Sequence, residues 1–386
     1  MLNFRAFGFF VLATAFLAAL SGLSGTTALA QVDTTAKHAI MIDMTTDSII
    51  LEKDADVPMP PASMSKLMTI FMVFERLKSG KLSLNDRFLV SRKAWRKGGS
   101  KMFVMVNTRV SVEELLRGII IQSGNDACVV IAEGISGSED AFAMLMTRRA
   151  KEIGLANSSF KNATGWPAEG HYMSARDIAT LSIKLIRDFP EYYSIFAETE
   201  YTYGGIRQGN RNPLLYKGFG ADGLKTGHTE ASGYGLASSV ERNGRRLVLV
   251  VNGLGSMRAR SSESARLMDW GFRETASYAL FKKGEEVDTA DIWLGEAPQV
   301  KLLAGSDLVL TMPRSARRDM KVKAIYRNPV QAPVAAGAAI GRVQIVSPGR
   351  KTVEIPLVAA NAVERLGPSG RIGAAVQYLI WGGSAR

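Results

Sequence analysis

Ser63-Met64-Ser65-Lys66 places a hydroxyl and an amine one helical turn apart, a spacing that puts both on one face of a helix. Residues 67–74, Leu-Met-Thr-Ile-Phe-Met-Val-Phe, are nearly all apolar, so the helix that follows should be buried. Burial disfavours an ammonium ion, and a lysine tolerated there acts as a neutral amine. Such an amine can take the proton of a neighbouring serine, which then attacks a carbonyl carbon. The chemistry is acyl transfer.

Two further clusters follow in order. Ser123-Gly124-Asn125 falls in a break between helical patterns, and Lys225-Thr226-Gly227 leads into a strand hairpin. A second cation at Lys225 favours the uncharged form of Lys66 and draws in an anionic substrate. Ser63 at a helix N-terminus gains from the dipole, and its backbone N–H can donate to a developing oxyanion. Thr226 and Gly227 fall on a strand edge along which an extended peptide can lie.

Each residue also has a structural alternative. Ser63 can be a helix cap, Lys66 a snorkelling side chain, Ser123 and Asn125 caps of the next helix, and Lys225 a solvated strand residue. Decoys with similar spacing, at Ser158/Lys161, Ser83/Asn85 and Lys78-Ser79-Gly80, lie in turns, connectors and helix ends. Order and setting together favour the catalytic reading of Ser63, Lys66, Ser123 and Lys225.

The elements that must position these groups can be read from period and punctuation. Residues 39–44 and 48–53 alternate around Thr45-Thr46-Asp47 as a hairpin. Pro58, Pro60 and Pro61 stop it, and the helix carrying Ser63 runs to Gly80. Helical patterns cover 112–123, 126–134, 139–153 and 175–187; strands 234–240 and 246–254 flank Asn243-Gly244, and a last helix covers 262–272. Strands at both ends with helices between them predict an α+β domain, one antiparallel sheet faced by helices. Beyond Lys283, short strands at 291–294, 300–303, 308–312, 321–326, 342–347 and 352–357 predict a small all-β domain. After Gly367-Pro368-Ser369, Ile372, Val376, Leu379 and Ile380 recur at helical spacing. This fits an amphipathic helix on a membrane surface or one packed on its own domain.

The remaining composition sets the address. With 386 residues and 46% apolar content, the chain has room for two cores. Residues 1–30 carry one charge, Arg5, an apolar stretch, and Ala28-Leu29-Ala30 where a signal peptidase cuts. We read a secretory leader at 1–30, a catalytic domain at 31–275, a β-rich domain at 276–366 and an amphipathic helix at 367–386. The net charge of +12 suits an anionic surface or polymer, and the scattered basic residues argue against nucleic acid. Cys128, the only cysteine, reads as a packed core residue. His38, His171 and His228 lack zinc-ligand spacing, so no metal is expected; no cofactor is implied, and there is no Gly-x-Ser-x-Gly elbow.

The three ordered motifs resemble those of the penicillin-binding proteins and β-lactamases, and most closely the low-molecular-mass D-alanyl-D-alanine carboxypeptidases. Supporting stretches are Pro61-Ala62-Ser63-Met64-Ser65-Lys66, Asn162-Ala163-Thr164-Gly165-Trp166, His171-Tyr172-Met173-Ser174-Ala175-Arg176-Asp177, Asp222-Gly223-Leu224-Lys225-Thr226-Gly227-His228-Thr229 and Trp270-Gly271-Phe272. The resemblance spans residues 36–275, and the β-rich tail with its amphipathic end is similar to the family's second domain and membrane anchor. It implies a β-lactamase/transpeptidase-like fold, with a second oxyanion donor on the backbone of His228. It further implies a proton relay through Ser123 and a grip on the substrate backbone by Asn125. An arginine after the hairpin would hold the terminal carboxylate; Arg260 matches best and Arg258 is the fallback.

The implied activity removes the terminal D-alanine from peptidoglycan pentapeptides through an acyl-enzyme on Ser63, with β-lactams acylating the same serine. The implied location is the periplasmic face of the inner membrane. A D,D-endopeptidase and a non-catalytic wall-binding or β-lactam-sensing protein are the alternatives. A class A β-lactamase would carry a deacylating glutamate in a Glu-x-x-Leu-Asn loop, and the chain has no such stretch.

Overall fold

The computed structural model describes residues 32–347 and 352–381. The leader read at 1–30 lies outside the described residues, as do residues 382–386 of the tail.

A five-stranded antiparallel sheet forms the first domain's backbone. Its strands are β1 (His38–Asp43), β2 (Ser48–Lys53), β3 (Ala221–Thr229), β4 (Gly233–Arg242) and β5 (Arg245–Leu254), in the order β2-β1-β5-β4-β3. Asn243 and Gly244 both take positive φ, 52° and 74°, which is what the tight turn between β4 and β5 demands. Alternation then separates the faces. Ile40, Ile42, Val248 and Val250 join the main helical core, while Met41, Leu247, Leu249 and Val251 pack with Leu267 and Met268 on the other side.

The helices on the main face are α1 (Lys66–Lys78), α2 (Val112–Ile120), α3 (Asn125–Ser136), α4 (Glu139–Glu152) and α5 (Ala175–Asp188); α6 (Met257–Glu274) covers the opposite face. Serines set their starts. Ser111 and Glu114 form a reciprocal capping box, and Ser138, Ser174 and Ser256 each accept from a backbone N–H of the first turn. Ten of the thirteen residues of α1 are buried, as its apolar run requires.

Ser63 departs from the expected place. It lies in a 3₁₀ turn, Ala62–Ser65, and α1 proper begins at Lys66. Ala62 takes φ of 49° directly after Pro61, which interrupts the α-helical path and leaves the serine in the tighter turn. The helix expected at 262–272 is longer, because its polar first turns show no apolar period but are capped by Ser256.

The second domain holds β6 (Thr275–Phe281), β7 (Glu286–Trp293), β8 (Gln299–Ala304), β9 (Leu308–Pro313), β10 (Lys321–Tyr326), β11 (Val330–Gln331), β12 (Ala339–Val346) and β13 (Val353–Ala359). Six strands form a sheet in the order β10-β12-β13-β8-β7-β11, and β6 pairs with β9. Ala290, Val300, Leu302, Val343, Ile345 and Leu357 centre its own core. A final helix, α7 (Pro368–Trp381), follows; its Ile372 and Val376 are exposed. Side chains of residues 375 and 377–381, including Leu379 and Ile380, lie outside the description. No helix among the described residues is long and apolar enough to cross a membrane.

A buried carboxylate joins the domains. Asp43 on β1 accepts from Arg245 Nε at 2.7 Å, Thr311 Oγ1 at 2.8 Å and the Thr45 backbone at 2.8 Å. Arg245 also donates to the Thr275 carbonyl and hydroxyl, and Thr311 meets Ser277 and Thr46 at 2.8 Å each. Burial alone would raise the Asp43 carboxyl, but the bonds from Arg245 and Thr311 outweigh it and hold it below its ordinary value.

Candidate active site

Three elements converge on the turn that carries Ser63: α1, the loop at residues 162–166, and strand β3. Two glycines permit the approach. A Cβ on Gly165 would fall 1.9 Å from the Ala62 carbonyl oxygen, and one on Gly227 would fall 2.8 Å from that of Pro61. Gly165 also has φ of 79°, so no other residue fits there without strain.

Lys66 is fully buried, and its Nζ lies 2.7 Å from Ser63 Oγ and 2.6 Å from the Thr164 carbonyl. Asn162 fixes that carbonyl: its Oδ1 accepts from the backbone N–H groups of Thr164, Gly165 and Trp166 and from the Thr164 hydroxyl. Burial above all brings the Lys66 amine down to about 8, helped by the positive charges of Arg211 and Lys97. Roughly one molecule in ten then carries the neutral amine at pH 7. In that form an N–H can serve the Thr164 carbonyl while the lone pair faces Ser63.

Ser123 and Lys225 form a second pair. Lys225, 2% exposed, donates to Ser123 Oγ at 2.9 Å. Burial drives its amine well below the ordinary lysine value, and Lys66, Arg211 and Arg260 add repulsion. Ser123 has φ of 60°, the left-handed conformation that non-glycine residues rarely adopt and that functional sites retain. It is not a cap: Gly124 holds the cap position of α3 without a side-chain bond. Asn125 opens α3, 5% exposed, with Nδ2 donating to the Gly98 carbonyl at 2.8 Å. Asp126 beside it accepts from the backbone of Met102, Phe103 and Val104, tying that loop to the helix.

Thr226 and Gly227 are buried on β3, the end strand of the sheet, and His228 follows exposed. The His228 ring stacks on Tyr234 at 3.8 Å, and Arg260 lies over the same tyrosine at 5.8 Å. Arg260 is 7% exposed with Nε unpartnered, whereas Arg258 is exposed to solvent. His171 stands apart in a structural setting. Its Nδ1 accepts from the Lys161 backbone, and burial pushes it down to about 4. Among the described residues no cluster of His, Cys, Asp and Glu is arranged to hold a metal ion.

Residues 25–255 match the family described as D-alanyl-D-alanine carboxypeptidase, peptidase S11. The chain belongs to the D-alanyl-D-alanine carboxypeptidase family. Residues 276–365 match the C-terminal domain described for penicillin-binding protein 5. The D-alanyl-D-alanine carboxypeptidase DacA of Escherichia coli K12 is 36% identical over 358 residues, 90% of this chain and 87% of its own. Among solved structures, the carboxypeptidase DacD of Francisella tularensis aligns with TM-score 0.79 at 30% identity, covering 87% of this chain and 95% of its own. Penicillin-binding protein 5 of Haemophilus influenzae aligns with TM-score 0.72 at 35% identity, covering 86% and 99%.

Two parts of the site in this chain escape a motif reading. The Thr164 carbonyl, set by Asn162, lies in a stretch quoted above for its resemblance without a role. Arg211, whose Nη1 donates to Ser100 Oγ at 2.5 Å, adds charge to both buried lysines. It comes from an irregular segment and is one among 48 basic residues, so nothing in the chain singles it out.

Proposed function

We propose that this chain is a serine D-Ala-D-Ala carboxypeptidase that trims the terminal D-alanine of peptidoglycan pentapeptides, and that β-lactams acylate the same serine. The observation that carries the reading is the buried Lys66 amine 2.7 Å from Ser63 Oγ. The neutral amine takes the Ser63 proton as Oγ bonds to the penultimate residue's carbonyl carbon. The backbone N–H groups of Ser63 and His228 receive the oxyanion. The carbon–nitrogen bond then breaks, and Ser123, poised by Lys225, hands its proton to the departing amine and is restored by the proton that Lys66 took, which leaves Lys66 neutral again. Asn125 grips the retained backbone. Thr226, Lys225 and the buried Arg260 hold the leaving residue's carboxylate. Water attacks the ester next, the neutral Lys66 accepts its proton, and Lys66 returns that proton to Ser63 Oγ as the carbon–oxygen bond breaks.

The family match and the names of its relatives support the peptidoglycan substrate. The leader at 1–30 supports export, and the exposed Ile372 and Val376 on α7 support attachment to the outer face of the inner membrane. D-alanine release from a diacyl-L-Lys-D-Ala-D-Ala peptide, measured beside fluorescent-penicillin labelling, tests the reading. Both are expected to vanish in Ser63→Ala; release that survives this change would overturn it.

A further inference from the structure

Trp166 follows Gly165 into the cleft and is 47% exposed. Its backbone is clamped at both ends by Asn162, with N–H to Oδ1 at 3.1 Å and carbonyl to Nδ2 at 2.9 Å. The indole lies along the Gly98-Gly99 backbone. A Cβ on Gly99 would sit 2.8 Å from the indole ring and 2.7 Å from Asn125 Nδ2. The ring and the Asn125 amide therefore border the same space, next to the carbonyl that holds Lys66.

Lys97 stands over this ring, its Nζ 5.7 Å from the centroid. Its ion pair is long, 3.9 Å to Glu139, whose carboxylate lies closer to Lys93 at 3.1 Å. The Lys97 ammonium has no hydrogen-bond partner among the described residues, and its charge reaches Lys66. A pinned aromatic wall and an under-used cation thus share one side of the cleft. The cations on and beside β3, Lys225 and Arg260, belong to the other wall.

We propose that Trp166 and Lys97 form a subsite for the part of the peptide that stays on Ser63, and that it takes an aliphatic side chain ending in a carboxylate. Methylenes lie on the indole, and the carboxylate pairs with Lys97. Glu139 keeps Lys93 when Lys97 turns to the ligand. A cationic side chain meets repulsion from Lys97 and Arg211, which gives discrimination by sign. The inference rests on Ser63 being the acylated serine.

The test compares two peptides in the full chain: acetyl-2-aminopimelyl-D-Ala-D-Ala, whose side chain ends in a carboxylate, and its side-chain amide. The acid is expected to be favoured about tenfold in kcat/KM. Lys97→Gln should bring that ratio to about one, Lys97→Glu should invert it, and Lys97→Arg should restore it. Trp166→Ala should raise KM for both peptides. A wild-type ratio near one, or a ratio unchanged in Lys97→Gln, overturns the subsite alone when fluorescent penicillin still labels Ser63. Failure of both peptides and of labelling overturns the subsite together with the catalytic reading.

Discussion

Lys66 holds its amine 2.7 Å from the Ser63 hydroxyl at a position with no solvent exposure. A base must be uncharged to act, so acylation of Ser63 by a penicillin is expected to rise with pH through about 8 and level off above it. Stopped-flow labelling across pH 6–10 reads this directly. A rate that falls over that range would contradict the role of Lys66.

The same lysine has a stability signature. Its folded value lies below the unfolded one, so between about 8 and 10.5 the unfolded chain binds more protons and stability rises with pH. Lys66→Met removes that dependence. Its melting temperature relative to wild type should be highest at pH 7 and decline towards pH 10, as scanning calorimetry can follow.

Gly165→Ala places a methyl group against the Ala62 carbonyl at a positive φ. The loop must shift, and the Thr164 carbonyl moves with it. A loss of about 2 kcal/mol in stability and on the order of a hundredfold in kcat/KM is expected. Ala at the neighbouring exposed position Ala168 is already native, so Ala168→Ser serves as the control with little effect.

Arg260 and Arg258 can be separated by kinetics. Arg260→Ala is expected to raise KM for the peptide about tenfold, since a charged hydrogen bond to the terminal carboxylate is lost. Arg258→Ala, at an exposed position, should leave KM within about twofold. The reverse pattern would move the carboxylate to Arg258.

At the domain joint, Asp43→Ala strands the Arg245 guanidinium, which is 17% exposed. A cost of about 2–3 kcal/mol follows from removing one partner of a buried pair. Calorimetry should show the main transition lowered, while D-alanine release at 25 °C is retained.

How far the chain could be read depended on the kind of signal. Ser63, Lys66, Ser123 and Lys225 are visible because their residue types are unusual in apolar or turn settings. The Thr164 carbonyl is invisible, because every residue carries one. Ser63 was expected in α1, but the positive φ of Ala62 is a tertiary accommodation to Gly165 and Gly227 that no period encodes. The helix expected to reach residue 123 stops at Ile120, since Ser123 takes left-handed φ to meet Lys225. Strand β6 shows no legible alternation, its mixed Thr-Ala-Ser-Tyr-Ala-Leu-Phe pattern being only partly buried. The short hairpin of Glu200–Tyr203 and Ile206–Gly209 leaves no signal either, being mostly exposed and without a buried apolar face.

Strand β3 closes one side of its sheet, and among the described residues no strand pairs with its outer edge. An unpaired rim of that kind invites any extended chain, including another copy of itself. Here Gly227 is closed over by the serine turn, where a Cβ would fall 2.8 Å from the Pro61 carbonyl oxygen, so a foreign strand meets a narrow slot. The serine turn that shapes the cleft thereby also shields the sheet edge from strand-on-strand pairing.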